Sequence, residues 1–394
     1  MPRRAAYFDA LNVNLKKAGL YQPALILDLD RLDKNIATLQ SHLPGGMGYR
    51  VVAKSLPVPK LLTHISQTMG THKFMTFNAP MLMAITEAMP QADQLLGKPL
   101  PVAALRDFLR QTDKAASERI HWLIDTPERL AAYGQASDHF GVSLNVVLEL
   151  DVGLHRGGFE ADDHLKAALT QISESPSLSF RGFMGYEPHL ASVPKAFGWQ
   201  ARAIKKSWER YQTALAIAEE IYEPAVMDNI IRNVAGSPTY RLYKDTLIGN
   251  EVSLGSALVK PTDFDTELLE PFLPACFIAA PVLKAPGMTR IPALEFADGL
   301  KRLISPKSAQ TFFIHGGKWM ADPVDPPHMR YNNTFGRSSN QEMINGPAET
   351  RLIPDDFVFF RPHQSEAVLF QFGDLWVVRG GEFIERWPVF DISA

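Results

Sequence analysis

Several short segments of this chain carry residue types that can do chemistry, and each stands just after an apolar run. Lys54 follows Tyr49-Arg50-Val51-Val52-Ala53 and precedes a proline-marked helix start. An amine held there can form an imine with an aldehyde cofactor once the site deprotonates it. From position alone a solvated lysine at a loop mouth is the readier reading, because lysines are mostly exposed. Glu149-Leu150-Asp151-Val152-Gly153-Leu154-His155-Arg156-Gly157-Gly158 follows the strongest apolar run. Its glycines let backbone approach a ligand closely, and Arg156 can pair with an anion or a ring heteroatom. A polar loop with a turn fits the same residues equally well. Gly185-Tyr186-Glu187-Pro188-His189 repeats the arrangement. Tyr186 and His189 could face the same mouth, although an isolated Tyr or His is more often a packing residue.

Two further segments suit an anion. Ala235-Gly236-Ser237-Pro238-Thr239-Tyr240 follows an apolar run and opens a short helical stretch. Gly236 and Ser237 there offer backbone N–H groups and a hydroxyl to a phosphate. Gly255-Ser256 follows Glu251-Val252-Ser253-Leu254 and would supply the second half of the cradle. Near the carboxyl end stand His315-Gly316-Gly317-Lys318 and Pro362-His363-Gln364-Ser365-Glu366. His363 is expected to begin a β-run. It suits a metal ligand, a substrate contact or a satisfied surface histidine, and the lack of a nearby cysteine or aspartate in alternation favours the surface.

These segments need elements that bring them to one place. Ala24 to Leu29 reads as a strand, with Asp30 capping a helix through Leu32, Ile36 and Leu39. Tyr49 to Ala53, Lys73 to Phe77, Gln94 to Leu96, Ile120 to Ile124 and Val142 to Leu150 read as further strands, as do Leu178 to Met184, Ile230 to Val234 and Glu251 to Gly255. Helical patterns lie between them, among them Pro57 to Met69, a segment opening with Thr126-Pro127-Glu128, and Ala201 to Tyr222. Val142 to Leu150 is nearly all apolar, which fits a strand buried on both faces. Repeated strand–helix units without a Rossmann glycine fingerprint predict an α/β fold: a (β/α)₈ TIM-type barrel over residues 30–262. Such a barrel keeps reactive groups at the carboxyl ends of its strands and phosphate sites after the last two.

Beyond about residue 262 prolines become frequent and β-like runs follow one another without helices. Phe357 to Phe360, Ala367 to Phe372, Leu375 to Arg379 and Glu382 to Pro388 predict a meander turning at Gly380-Gly381, and 315–347 reads as a long irregular stretch. Residues 263–394 are therefore expected to form a mainly-β domain.

The chain has 394 residues, more than one hydrophobic core usually organises. Its 46% hydrophobic and 21% charged residues describe an ordinary globular protein, and a net charge of −3 gives no global drive toward nucleic acid. The one cysteine, Cys276, allows no internal disulfide and no multi-cysteine metal site. Arg3-Arg4 is not followed by an apolar core of signal-peptide length, and no run is long enough to span a bilayer. A cytoplasmic protein with no membrane partner is expected.

Taken in order, these motifs resemble the fold-type III pyridoxal phosphate enzymes with the alanine-racemase-type barrel, and within them the D-threonine aldolase and D-serine dehydratase branch. Pro23 to Asp30 is similar to that branch's opening segment, and Lys54 falls at its Schiff-base lysine. Glu149 to Gly158 is similar to its acidic–glycine–arginine–glycine strand end, and Gly185-Tyr186-Glu187 with His189 to its tyrosine–histidine loop. Gly236 to Tyr240 is similar to its phosphate loop, Glu251 with Gly255-Ser256 to its final barrel strand, and Asp374 to Val389 to its last strands. The resemblance implies an N-terminal strand, 22–29, that joins the C-terminal β-domain, and a homodimer whose site both subunits complete. It also implies pyridoxal 5'-phosphate held as a Schiff base on Lys54, its ring positioned by Arg156 or Tyr186 and its phosphate by Gly236, Ser237, Gly255 and Ser256. His189 or His363 would take the β-hydroxyl proton of a β-hydroxy D-amino acid, in retro-aldol cleavage or dehydration.

The sequence departs from that pattern in three places. Lys54 sits in Val52-Ala53-Lys54-Ser55-Leu56 and not in an arginine–proline–histidine context, and Pro188 replaces a glycine. Ser365 stands where the family has the second residue of its metal pair, leaving His363 as the one candidate ligand. Serine is a poor ligand for zinc and an alcohol a weak one for magnesium, which argues against a divalent metal. An amino-acid racemase, which needs two opposed bases and no metal, is the alternative. A non-catalytic cofactor carrier would have no need of a second domain.

Overall fold

The structure is a computed structural model and describes residues 4–289, 309–332 and 336–391. After a helix, Ala6–Lys17, comes strand β1 (Ala24–Asp28). Eight strands then close a parallel barrel: β2 (Gly48–Val52), β3 (Lys73–Thr76), β4 (Asp93–Leu96), β5 (Ile120–Ile124), β6 (Leu144–Leu150), β7 (Leu178–Gly185), β8 (Ile231–Val234) and β9 (Glu251–Leu254). Closure is made by β9 on β2, with Gly48 opposite Glu251 and Val51 opposite Leu254. The expected α/β barrel is therefore present, with its strands in the expected order. All seven residues of β6 are buried, as its continuous apolar run requires.

The helices begin and end on local chemistry. Thr126 caps Pro127–Phe140 by accepting the Arg129 N–H at 3.2 Å, and Gly141 ends it in the left-handed region at φ 62°. One expected cap is corrected. Helix Leu29–His42 starts before Asp30, and it is Asp28 that accepts the Arg31 N–H, at 3.0 Å.

The amino end of the barrel departs from the usual branched apolar layers. Arg50 is fully buried, its Nε 2.6 Å from Glu251 Oε1 and its Nη1 2.8 Å from Asp93 Oδ1. Lys73 Nζ adds a 2.8 Å contact to Glu251, and Asn233 donates to Glu251 at 2.8 Å. Both Glu251 oxygens meet a cation, the condition under which buried charge is tolerated. Burial raises the Glu251 pKa, but Arg50 and Lys73 outweigh it and hold the carboxyl down at about 2.

The chain divides into two compact units. Ile36–Ala257 carry the barrel, with Thr266–Leu269; Leu258–Asp265 and Glu270–Val389 gather with the opening segment as far as Asn35. The second unit is built on a nine-stranded sheet of β1 with β10 (Cys276–Met288), β11 (Gln310–His315), β12 (Ala321–Asp325), β13 (Arg330–Tyr331), β14 (Gln341–Gly346), β15 (Phe357–Pro362), β16 (Asp374–Arg379) and β17 (Glu382–Pro388). The early strand β1 lies between late ones, antiparallel to β10 and parallel to β16. Its residues Leu25, Ile26 and Leu27 are fully buried there. The opening helix packs Leu11 and Leu15 into the same core as Phe357, Phe359 and Trp376.

Three expectations in this unit are corrected. The stretch 315–347 holds strands β12, β13 and β14, because β14 runs in unbroken register along β11 from Gln310–Gly346 to His315–Gln341. Cross-strand pairing outweighs a composition that reads as loop. Ala367 to Phe372 is not a strand; Val368 and Leu369 donate back to the Ser365 carbonyl and a 3₁₀ turn, Leu369–Gln371, follows. His363 accordingly follows the end of β15 and begins no β-run. Among the described residues no helix is long and apolar enough to cross a membrane.

Candidate active site

Lys54 stands on a 3₁₀ turn, Ala53–Ser55, directly after β2, and its Nζ lies 4.8 Å from the centroid of the Phe77 ring behind β3. The next neighbour is the end of β9. A Cβ on Gly255 would come within 2.7 Å of the Val52 carbonyl and 3.1 Å of Ser55 Cβ, so only glycine lets the two strand ends close. Beside it the Ser256 hydroxyl donates to Ser55 Oγ at 3.0 Å, and Ala257 N–H donates to Ser237 Oγ at 3.1 Å. Ser237 thereby ties the loop after β8 to the loop after β9. Gly236 faces Tyr186, where a Cβ would lie 2.6 Å from ring atom Cε2.

The chain of contacts continues through β7 and β6. The Arg156 guanidinium sits 5.2 Å from the Tyr186 ring centroid, with Nη2 at 3.9 Å from Glu149 Oε1. Burial pushes the Glu149 carboxyl up to about 7, against the pull of Arg156. The intervening loop winds around Asp151, whose Oδ1 accepts the N–H groups of Gly153 and His155 at 2.9 and 3.1 Å and whose Oδ2 lies 3.0 Å from His155 Nδ1. Its neck is closed by the Phe159 N–H donating to the Glu149 carbonyl at 2.7 Å. Across from it, a Cβ on Gly153 would stand 3.4 Å from His189 Nε2. Burial lowers the His189 pKa, helped by His155, and its Nδ1 is buried with no partner among the described residues.

Lys54, Arg156, Tyr186, His189, Gly236, Ser237, Gly255 and Ser256 thus all stand at the carboxyl-terminal mouth of one barrel, most of them linked through named neighbours. His363 belongs to the other unit, where its Nε2 lies 3.1 Å from Asp322 Oδ2. Ser365 is buried and its hydroxyl donates to Glu366 Oε2 at 3.1 Å. Among the described residues no three His, Cys, Asp or Glu side chains come together as a metal-binding group.

Residues 27–263 match the family described as alanine racemase, N-terminal domain. The chain belongs to that family. A curated 3-hydroxy-D-aspartate aldolase from Paracoccus denitrificans (strain Pd 1222) is 21% identical over 259 residues. That match covers 64% of this chain and 63% of the relative, less than two thirds of its length. Among solved structures, D-threonine aldolase from Filomicrobium marinum superposes with a TM-score of 0.74 at 18% identity, covering 95% of each chain. D-threo-3-hydroxyaspartate dehydratase from Delftia sp. HT23 gives 0.70 at 16% identity, over 94% of this chain and 97% of that one. At these identities the structural likeness speaks for the fold, a barrel with a separate mainly-β unit.

Several residues of the mouth carry no strong signal of their own in the sequence. Phe77, after β3, stands beside Lys54 across neighbouring strands, which no local motif announces. Thr239 and Glu187 lie within quoted motifs, but their pairing spans 52 residues. The one legible hint was that each follows a strand end.

Proposed function

We propose that this protein is a pyridoxal-phosphate-dependent lyase acting on β-hydroxy D-amino acids, by retro-aldol cleavage or dehydration. The observation that carries the reading is the Gly255 contact. It sets a candidate phosphate segment against the turn bearing Lys54, where a side chain on residue 255 would fill the gap. The donor set fits the cofactor: hydroxyls of Ser237 and Ser256 for a phosphate, an arginine and a tyrosine ring for the pyridine, and an amine for the aldehyde. When bound, pyridoxal phosphate supplies an electron sink for whichever bond of the substrate is broken.

The chain's own residues would do the rest. Lys54 would hold the cofactor and then accept or return a proton at its Nζ. Arg156, steadied by Glu149, would orient the ring against Tyr186. His189 is kept neutral by burial at pH values where an ordinary imidazole begins to protonate, so its ring nitrogen is ready to take the β-hydroxyl proton. The same reading has two copies forming a homodimer, which sedimentation would report.

The test is a panel of D- and L-β-hydroxy amino acids with loaded protein, run with and without chelator and read for both aldehyde and ammonia. Aldehyde from D-substrates marks the aldolase, ammonia the dehydratase. A purified protein with no visible absorbance that borohydride abolishes overturns the reading. Solvent deuterium recovered in the mirror-image amino acid would mark a racemase instead.

A further inference from the structure

Glu187 is a carboxyl to which the proposed reaction gives no work, yet it is 1% exposed between two residues of the mouth, Tyr186 and Pro188. Two donors converge on it. Thr239 Oγ1 donates to Oε1 at 3.0 Å and Ala235 N–H to Oε2 at 3.4 Å. The Thr239 hydroxyl also accepts the Gly236 N–H at 3.3 Å, so it bridges the Glu187 carboxyl to the turn. The titratable groups facing Glu187 are Tyr243 and Tyr211, and the Tyr211 hydroxyl donates to the carbonyls of Phe183 and Asn233. No cation pairs with it among these contacts.

A buried carboxyl without a cation is costly. What its donors have in common is the turn after β8. Ala235 has φ 63°, a left-handed conformation that a non-glycine residue keeps only when its surroundings impose it. The N–H of that strained residue is one of the two donors. Gly236 follows, fixed through Thr239, with its Cα against the Tyr186 ring; Ser237 comes next, tied to Ala257.

We propose that Glu187 is a positioning residue that clamps the Ala235–Thr239 turn in the shape that takes the cofactor's phosphate. The inference rests on the pyridoxal phosphate reading above. Gly236 accordingly contributes its missing side chain, since its N–H is committed to Thr239. The carboxyl acts at one remove, through the turn.

The test compares Glu187→Gln, Glu187→Ala and Thr239→Val with the full-length wild type. Binding of pyridoxal 5'-phosphate and of pyridoxal, which lacks the phosphate, is titrated by absorbance, and amide exchange is followed over 235–239 in the ligand-free protein. Loss of the clamp is expected to weaken pyridoxal phosphate by about tenfold or more while pyridoxal changes by less than about twofold. Exchange at Ala235 and Gly236 is expected to rise. Equal losses for both aldehydes indicate general disruption and overturn the proposal, as does unchanged phosphate-dependent binding in wild type and variants alike. A wild type that takes up no pyridoxal phosphate fails differently: it overturns the cofactor reading, and the clamp's purpose with it. Thr239→Val keeps the carboxyl in place, so the clamp remains testable if Glu187→Ala does not fold.

Discussion

At the scale of single residues, Lys54 and His189 carry the sharpest predictions. Lys54 is half-buried on a short turn and its removal opens no core, so Lys54→Ala should leave the ligand-free protein's melting temperature nearly unchanged. The same variant should lose the visible absorbance of the loaded protein and its borohydride-sensitive adduct. A variant that still shows both would remove Lys54 as the anchor. His189 makes a prediction about pH. Its folded-state pKa is lowered, so the imidazole stays neutral further into acid than a free histidine with its ordinary value of about 6.5. The acid limb of kcat/KM should therefore fall below that value, and His189→Asn should remove the limb. A limb at or above the ordinary value in wild type would exclude His189 as the base. The position of both residues after a strand was legible from the sequence. What was not legible is the burial that changes the histidine's proton affinity.

At the scale of elements, the strand ends matter more than the helices around them. Gly255 lets β9 close on β2, and a Cβ there would meet backbone, the Val52 carbonyl at 2.7 Å, which cannot rotate away. Gly255→Ala is expected to cost about 1–3 kcal/mol and to weaken pyridoxal phosphate uptake. Gly45 has nothing within 4 Å of its built Cβ, so Gly45→Ala serves as the control and should stay within about 0.5 kcal/mol. Thermal denaturation and cofactor titration of the two variants check this. Equal behaviour would mean that the strand ends have room to spare.

At the scale of the whole barrel, stability should depend on the charged cluster at its amino end. Glu251 has a folded-state pKa depressed to about 2, below its ordinary value near 4.5. A depressed carboxyl contributes stability that is present above its unfolded value and lost as pH falls through the folded one. Acid unfolding of the wild type should therefore draw on this cluster between about pH 4.5 and 2. Glu251→Gln leaves the buried Arg50 with Asp93 as its remaining carboxylate partner and should cost about 3 kcal/mol at neutral pH. The wild type's lead in melting temperature over the variant should shrink as pH is lowered through that window. A lead that holds constant with pH would show that Glu251 is not held ionised.

The sequence by itself determined the alternation of strands and helices and the placing of reactive residues after strands. It also determined the change to β-structure past residue 262. These follow from local periodicity: period-two and continuous apolar runs for strands, longer repeats for helices. It misread the stretch 315–347 and the run Ala367 to Phe372, where pairing partners far along the chain, or a turn closing on Ser365, decided the outcome. Only the tertiary structure placed β1 between β10 and β16, because strand partners are chosen by shared hydrogen bonds and a shared core. It alone brought Gly255 against Val52 and Glu187 against Thr239. Those contacts depend on barrel closure and burial, which lie between segments and are written in neither one.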